Sequence, residues 1–180
     1  MNILLFGIGN VGKTTTGSVL AKKIGYDFYD LDEEVEKYCN MTIAEFIRTI
    51  WPYERDKIRG TVIGQILTKK GNKVVAVTPM YYSVWFNKYL KRDDVLAIEL
   101  QDEPANIFSR LIFTDDNGIV LEDSVKYREK HRKYFLNEIK KDITAHRRSF
   151  IKIENKFAIK NDSPEVVASR LIEQFREIIL

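Results

Sequence analysis

Residues 7–15 read Gly-Ile-Gly-Asn-Val-Gly-Lys-Thr-Thr, and this run limits the fold more than any other feature of the chain. It matches G-x-x-x-x-G-K-[ST] at every fixed position. The apolar run Asn2–Phe6 before it reads as a buried strand, and Thr14–Ile24 after it reads as a helix with apolar Val19, Leu20 and Ile24. In that context the motif has a mechanism. Glycines let the backbone curl so that successive N–H groups point into one concavity, and the helix adds its positive dipole end. Such a cradle takes phosphate. The spacing sends Lys13 to the β- and γ-phosphates and offers the Thr14 hydroxyl to Mg²⁺. The candidate nucleotide-binding residues are Gly7, Gly9, Asn10, Val11, Gly12, Lys13, Thr14 and Thr15, with ATP and Mg²⁺ as the expected ligands.

Beyond the loop, short apolar runs alternate with longer helical patterns. Asp27–Asp30, Lys73–Thr78, Val95–Leu100 and Phe157–Ile159 read as strands. Glu33–Cys39, Ile43–Trp51, Asp56–Leu67, Val84–Leu90, Pro104–Ile112, one long stretch Asp123–Arg148, and Pro164–Leu180 read as helices. Thr114–Gly118 reads as a turn or mobile loop. Strands separated by helices imply a mostly parallel sheet with right-handed crossovers, in a single domain over 1–180. Ligands of such sheets sit at the carboxyl ends of the strands.

Composition narrows the partners. The chain is 44% hydrophobic and 31% charged, as in a globular protein, and its net charge of 29 − 26 = +3 is too small to argue for nucleic acid or membrane. No apolar run reaches the ~18 residues of a spanning helix, and Ile3–Phe6 lacks the basic flank of a signal segment. Cys39 is the one cysteine, so an intrachain disulfide and a Cys-rich zinc site are ruled out, and a cytoplasmic location is expected. His131 and His146 read as surface helix residues, and Trp51 and Trp85 as packing residues.

Two carboxylates follow the second strand, in Tyr29-Asp30-Leu31-Asp32. Side chains two apart on an extended segment point the same way, so both can face the crevice beside the phosphate loop. A carboxylate there can hold a metal-bound water or accept a proton from a substrate hydroxyl. The alternative is that Asp32 caps the helix that follows.

The loop, a helix of this length, and then Tyr29-Asp30-Leu31-Asp32-Glu33-Glu34-Val35-Glu36 resemble shikimate kinase. The resemblance implies a three-layer α/β/α fold with a five-stranded parallel sheet of the P-loop kinase type, a substrate-binding helical segment at about 32–60 and a lid at about 112–136. It implies transfer of the ATP γ-phosphoryl to a hydroxyl of shikimate or a similar small hydroxy acid. It further implies Thr14 and Asp30 at Mg²⁺, Asp32 on the substrate hydroxyls as base or orienter, and Arg110 on the adenine. Arg55 and Arg147 would bind the substrate carboxylate, to which an Arg fork is suited. Arg128 or Arg132 would stabilise the phosphoryl in flight.

The chain departs from that family in two places. Where the family has three glycines after its third strand, this sequence has Pro79-Met80-Tyr81-Tyr82. The lid carries additional residues, including Lys126–Lys133, and lacks Arg-Pro-Leu-Leu. The glutamate interleaved in that basic run argues against nucleic acid. Oligomeric state is not legible. Three readings stay open: a kinase of shikimate or a similar acid, a kinase of another hydroxylated acceptor or nucleotide, and a nucleotide-binding regulatory protein.

Overall fold

The structure is a computed structural model that describes residues 1–113 and 119–179. Five strands form one sheet: β1 (Asn2–Phe6), β2 (Asp27–Asp30), β3 (Lys73–Ala76), β4 (Val95–Gln101) and β5 (Asn155–Ala158). Their order is β2-β3-β1-β4-β5, and every pairing is parallel. All of β1 is buried, as expected for a central strand with both faces covered. The chain leaves β1 toward β2 and leaves β3 toward β4, in opposite directions. The crevice outside the carboxyl ends of β1 and β3 is therefore the topological switch point, where ligands of such sheets bind.

Ten helices are described: α1 (Lys13–Ile24), α2 (Leu31–Cys39), α3 (Ile43–Thr49), α4 (Pro52–Thr68), α5 (Val84–Asn87), α6 (Pro104–Ser109), α7 (Ser124–Lys130), α8 (Arg132–His146), α9 (Pro164–Gln174) and α10 (Arg176–Ile179). Their ends follow local chemistry. Thr42 accepts from the Glu45 amide ahead of α3, and Ser163 accepts from the Val166 amide ahead of α9. Pro52 and Pro164 stand in first turns, where a missing N–H costs nothing. That is why α4 begins at Pro52 rather than at Asp56.

The expected helix Asp123–Arg148 is two helices. At His131 (φ −108, ψ 21) the backbone leaves helical geometry, and no Gly or Pro marks the break. The C-terminal helix likewise divides at Phe175. The expected loop Thr114–Gly118 lies outside the described residues. No helix among the described residues is long and apolar enough to cross a membrane.

Two packing contacts bear on function. A Cβ at Gly60 would meet the Trp85 carbonyl oxygen at 2.7 Å, and one at Gly64 would fall 2.4 Å from the Tyr89 hydroxyl. The first notch lets α4 touch α5 and the second seats Tyr89 just beyond α5, which draws the segment after β3 onto α4. Phe6 at the end of β1 packs on Phe86 of α5 (5.0 Å between ring centres) and on Phe150 beyond α8 (6.1 Å), so one ring ties the sheet to both sides of the crevice.

Candidate active site

The phosphate loop curls by left-handed backbone. Gly7 (φ +140), Asn10 (φ 59) and Gly12 (φ 108) supply it, and a Cβ at Gly7 would press 2.6 Å from the Leu100 carbonyl oxygen. Gly12 precedes α1 without any side-chain cap, so the first amides of that helix are left for another acceptor. Val11 is buried, whereas Gly9, Asn10, Thr14 and Thr15 are exposed. The Lys13 ammonium folds back to donate to the Ile8 carbonyl at 2.8 Å. Desolvation pushes its pKa down from 10.5 to about 8, against the pull of Asp32 and Asp30.

The second strand delivers both carboxylates to this loop, in different roles. Asp30, not Asp32, caps α2: its Oδ1 accepts from the Asp32 amide at 2.9 Å. Its Oδ2 accepts from the Thr14 hydroxyl at 2.6 Å. A hydroxyl and a carboxylate side by side suit Mg²⁺, which prefers oxygen and takes few protein ligands. No cluster of three or more His, Cys, Asp or Glu able to hold a metal exists among the described residues. Asp32 is half-buried, and burial raises its pKa; Asp30 adds to the rise, while Thr78, Arg59 and Lys13 oppose it. One carboxylate thus caps a helix and meets Thr14, while burial favours the neutral form of the other.

The guanidinium beside Asp32 belongs to Arg59. Its Nη2 lies 3.6 Å from Asp32 Oδ1, and its Nη1 3.4 Å from Asp56 Oδ1. Arg55 turns instead toward α3 and donates to the Ile47 carbonyl at 3.3 Å. Asp56 is 1% exposed, and its Oδ2 accepts from the Tyr81 and Tyr82 amides at 2.8 and 3.0 Å. The segment that replaces glycines is therefore anchored by a carboxylate from α4. A sequence signal for this pair did exist: Asp56 and Arg59 fall in phase with buried Ile63 and Ile66 along α4.

The far wall corrects two further expectations. His146 is 5% exposed, not a surface residue, and lies between Tyr81 (4.5 Å, 26°) and Phe150 (5.5 Å, 19°). Its pKa is lowered by burial; the Met80 backbone, Asp142 and Asp56 favour the charged form, and Lys13 opposes it. Arg147, one residue on, is exposed and makes no ion pair among the described residues. Trp51 is 81% exposed rather than a packing residue, whereas Trp85 does pack, edge-on to Tyr53 at 5.5 Å.

Arg110 pairs with Asp102 and approaches Asn161 Oδ1 at 3.5 Å, beside the left-handed pair Lys160 and Asn161 after β5. Burial alone would raise Asp102, but hydrogen bonds from Asn106 and Arg110 hold it below the usual carboxylate range. Arg128 donates to the Ser109 carbonyl, Arg132 pairs with Glu129 at 3.1 Å, and both lie over the Phe108 ring. Neither pairs with a phosphate-loop group in this arrangement. A cleft of about 680 Å³ opens on the β4–β5 flank of the loop, lined by Ile8, Val11, Asp102, Lys140 and Lys160 among others; Lys13 and Asp32 are not in its wall.

Comparison with known proteins gives a consistent picture. The family model for shikimate kinase matches residues 9–176. A shikimate kinase of Thermodesulfovibrio yellowstonii is 27% identical over 177 residues, covering 98% of this chain and 96% of that one. Among solved structures, shikimate kinase from Aquifex aeolicus superposes with a TM-score of 0.69 at 22% identity, over 100% of this chain and 99% of the other. Shikimate kinase from Acinetobacter baumannii in complex with shikimate superposes with a TM-score of 0.67 at 17% identity, over 98% and 93%. At those identities the structural matches speak for the fold.

Proposed function

As this chain belongs to the shikimate kinase family, we propose that it transfers the γ-phosphoryl of ATP, with Mg²⁺, to a hydroxyl of shikimate or of a similar small hydroxy acid. It is an ATP-dependent small-molecule kinase with a five-stranded parallel sheet of the P-loop kinase type. The observation that carries the reading is convergence: Lys13, Asp30 and Asp32 lie within electrostatic reach of one another at the carboxyl edge of the sheet.

Each residue then takes a role. The amides of Gly7–Thr15 cradle the triphosphate, and Lys13 leaves the Ile8 carbonyl to meet the phosphate charge. Thr14 and Asp30 hold Mg²⁺, which when bound neutralises charge developing on the phosphates. Asp32 orients the acceptor hydroxyl and receives its proton, a task its raised pKa suits. Arg59, rather than Arg55 or Arg147, meets the acceptor's acid group, because it is the guanidinium beside Asp32. Arg110 lines the adenine side. Arg128 or Arg132 supplies lid charge after release from Glu129. ATP as donor and a single thiol fit the cytoplasm.

A second acceptor is favoured by one observation: two tyrosines, their amides held by Asp56 of α4, stand where the family has glycines. An assay of ADP release with ATP, Mg²⁺ and a panel of hydroxy acids decides. Shikimate-dependent release abolished by chelation is expected. Release with a different acid alone reassigns the acceptor, and no release with any acid overturns the kinase reading.

A further inference from the structure

We propose that Asp56 is a positioning residue for the acceptor: a carboxylate built into α4 that occupies the Tyr81 and Tyr82 amides and holds Arg59 in place beside Asp32. This deepens the kinase reading and rests on it.

Anchoring the loop does not by itself require a charge. An asparagine oxygen accepts two amide hydrogens as well as a carboxylate oxygen does. A buried carboxylate is costly unless it is paired, so its presence at 1% exposure demands a second task. That task is visible at its other oxygen. Asp56 Oδ1 faces Arg59 Nη1 at 3.4 Å, while Arg59 Nη2 faces Asp32 Oδ1 at 3.6 Å. Two carboxylates share one guanidinium, and neither engages it in a short bidentate contact. Arg59 is 6% exposed, and its Nε is buried without a partner. The cation is centred between the two acids rather than committed to either, with donor capacity in hand.

The consequence is for recognition. The amides of Tyr81 and Tyr82 are already filled from within the protein, so they form a wall and not a binding site. The acid group of an acceptor is left to Arg59. A second acid group on the acceptor would face Asp32 and Asp56, and Lys13, the other cation within reach of Asp32, is engaged by the phosphates of ATP in the kinase reading. The pocket therefore selects a hydroxy acid with one carboxylate. His146 stacked on Tyr81 holds the same wall from the α8 side.

Kinetics on two variants test this, with wild-type turnover of shikimate and of mono- and dicarboxylic hydroxy acids measured first. Asp56→Asn keeps the shape and the amide acceptor but releases Arg59. Its acceptor KM should rise about 10- to 100-fold while the ATP KM holds and the melting temperature falls less than in Arg59→Ala, because Arg59 keeps Asp32, as expected when a group that positions the acceptor is displaced. Asp56→Ala leaves a carboxylate-sized hole lined by two amides and Arg59. Formate should restore its acceptor turnover saturably, and chloride at equal ionic strength should not. Wild-type preference for a dicarboxylic acceptor, wild-type kinetics in Asp56→Asn, or parallel loss in both KM values and stability with no formate response each overturn the inference. An inactive wild type fails the kinase reading and this inference with it, whereas an active wild type with any of those results fails this inference alone.

Discussion

The two flanks of the crevice are built on different principles. The proposed nucleotide flank is built by backbone: left-handed Gly7, Asn10 and Gly12, the uncapped start of α1, and one short contact from Thr14 to Asp30. The proposed acceptor flank is built by side chains from distant elements: Asp56 and Arg59 of α4, Tyr81 after β3, and His146 at the end of α8. A backbone cradle tolerates few sequences, so its motif is rigid. A side-chain pocket can be relined while the sheet stays the same, which is how a chain can keep a fold and vary its acceptor.

The largest expected effect breaks the nucleotide flank. Lys13→Ala removes the ammonium that donates to the Ile8 carbonyl inside the loop, and kcat/KM should fall on the order of 10³-fold, as for loss of a group that meets developing charge. Steady-state ADP release measures it. Turnover near wild type would mean that the backbone cradle works without its lysine.

The acceptor flank is sharpened by two arginines on one helix. Arg59→Ala leaves buried Asp56 without its guanidinium and Asp32 with Lys13 alone, and breaking a buried pair in this way costs about 3–5 kcal/mol. Arg55→Ala removes one long bond to a carbonyl and should cost about 0.5 kcal/mol. Denaturant midpoints of the two variants measure the gap. Equal losses would put Arg55 back in the site.

That pair shows where the sequence was legible and where it was not. The order of strands and helices, the phosphate loop and the Asp30–Asp32 pair could be read because each rests on spacing within a few residues. The resemblance points to Arg55 as the nearest match to a Phe-Arg pair, whereas what brings a guanidinium beside Asp32 is angular position on α4: Asp56, Arg59 and Ile63 share the buried stripe. His146 looked like any histidine on a charged helix. Its burial comes from Tyr81 and Phe150, which the chain brings to it from the β3 side and from beyond α8. The break at His131 has no local signal at all, since Lys130 and Arg132 are ordinary helix formers.

A smaller change probes how the acceptor wall is carried. Alanine at Gly60 would gain helix propensity, but its Cβ would sit 2.7 Å from the Trp85 carbonyl oxygen and 2.8 Å from Trp85 Cβ. Backbone cannot yield as a side-chain tip does, so overpacking at about 1–3 kcal/mol outweighs that gain. Gly60→Ala should lower the melting temperature and raise the acceptor KM, because α5 follows directly from the Tyr81–Tyr82 segment. The ATP KM should hold. If both KM values move together, the two flanks are coupled through α4 and the contrast between them fails.

The smallest effect is a pH dependence of stability centred on His146. Burial lowers its folded pKa below the ordinary 6.5, so as pH falls the unfolded chain takes up the proton first. Stability from this group is therefore present above about pH 6.5 and is lost as pH drops through the window beneath it. Asp142, whose pKa is raised by burial, contributes with the opposite sign, above its ordinary 3.8. His146→Phe keeps a flat ring between Tyr81 and Phe150 and removes the titration. The melting temperature of wild type relative to this variant should then decline between pH 7.5 and pH 5, a range set by the histidine's ordinary pKa of 6.5. A difference independent of pH would mean that the imidazole takes its proton as readily in the fold as in the open chain, and the wall beside Tyr81 would be wetter than its packing implies.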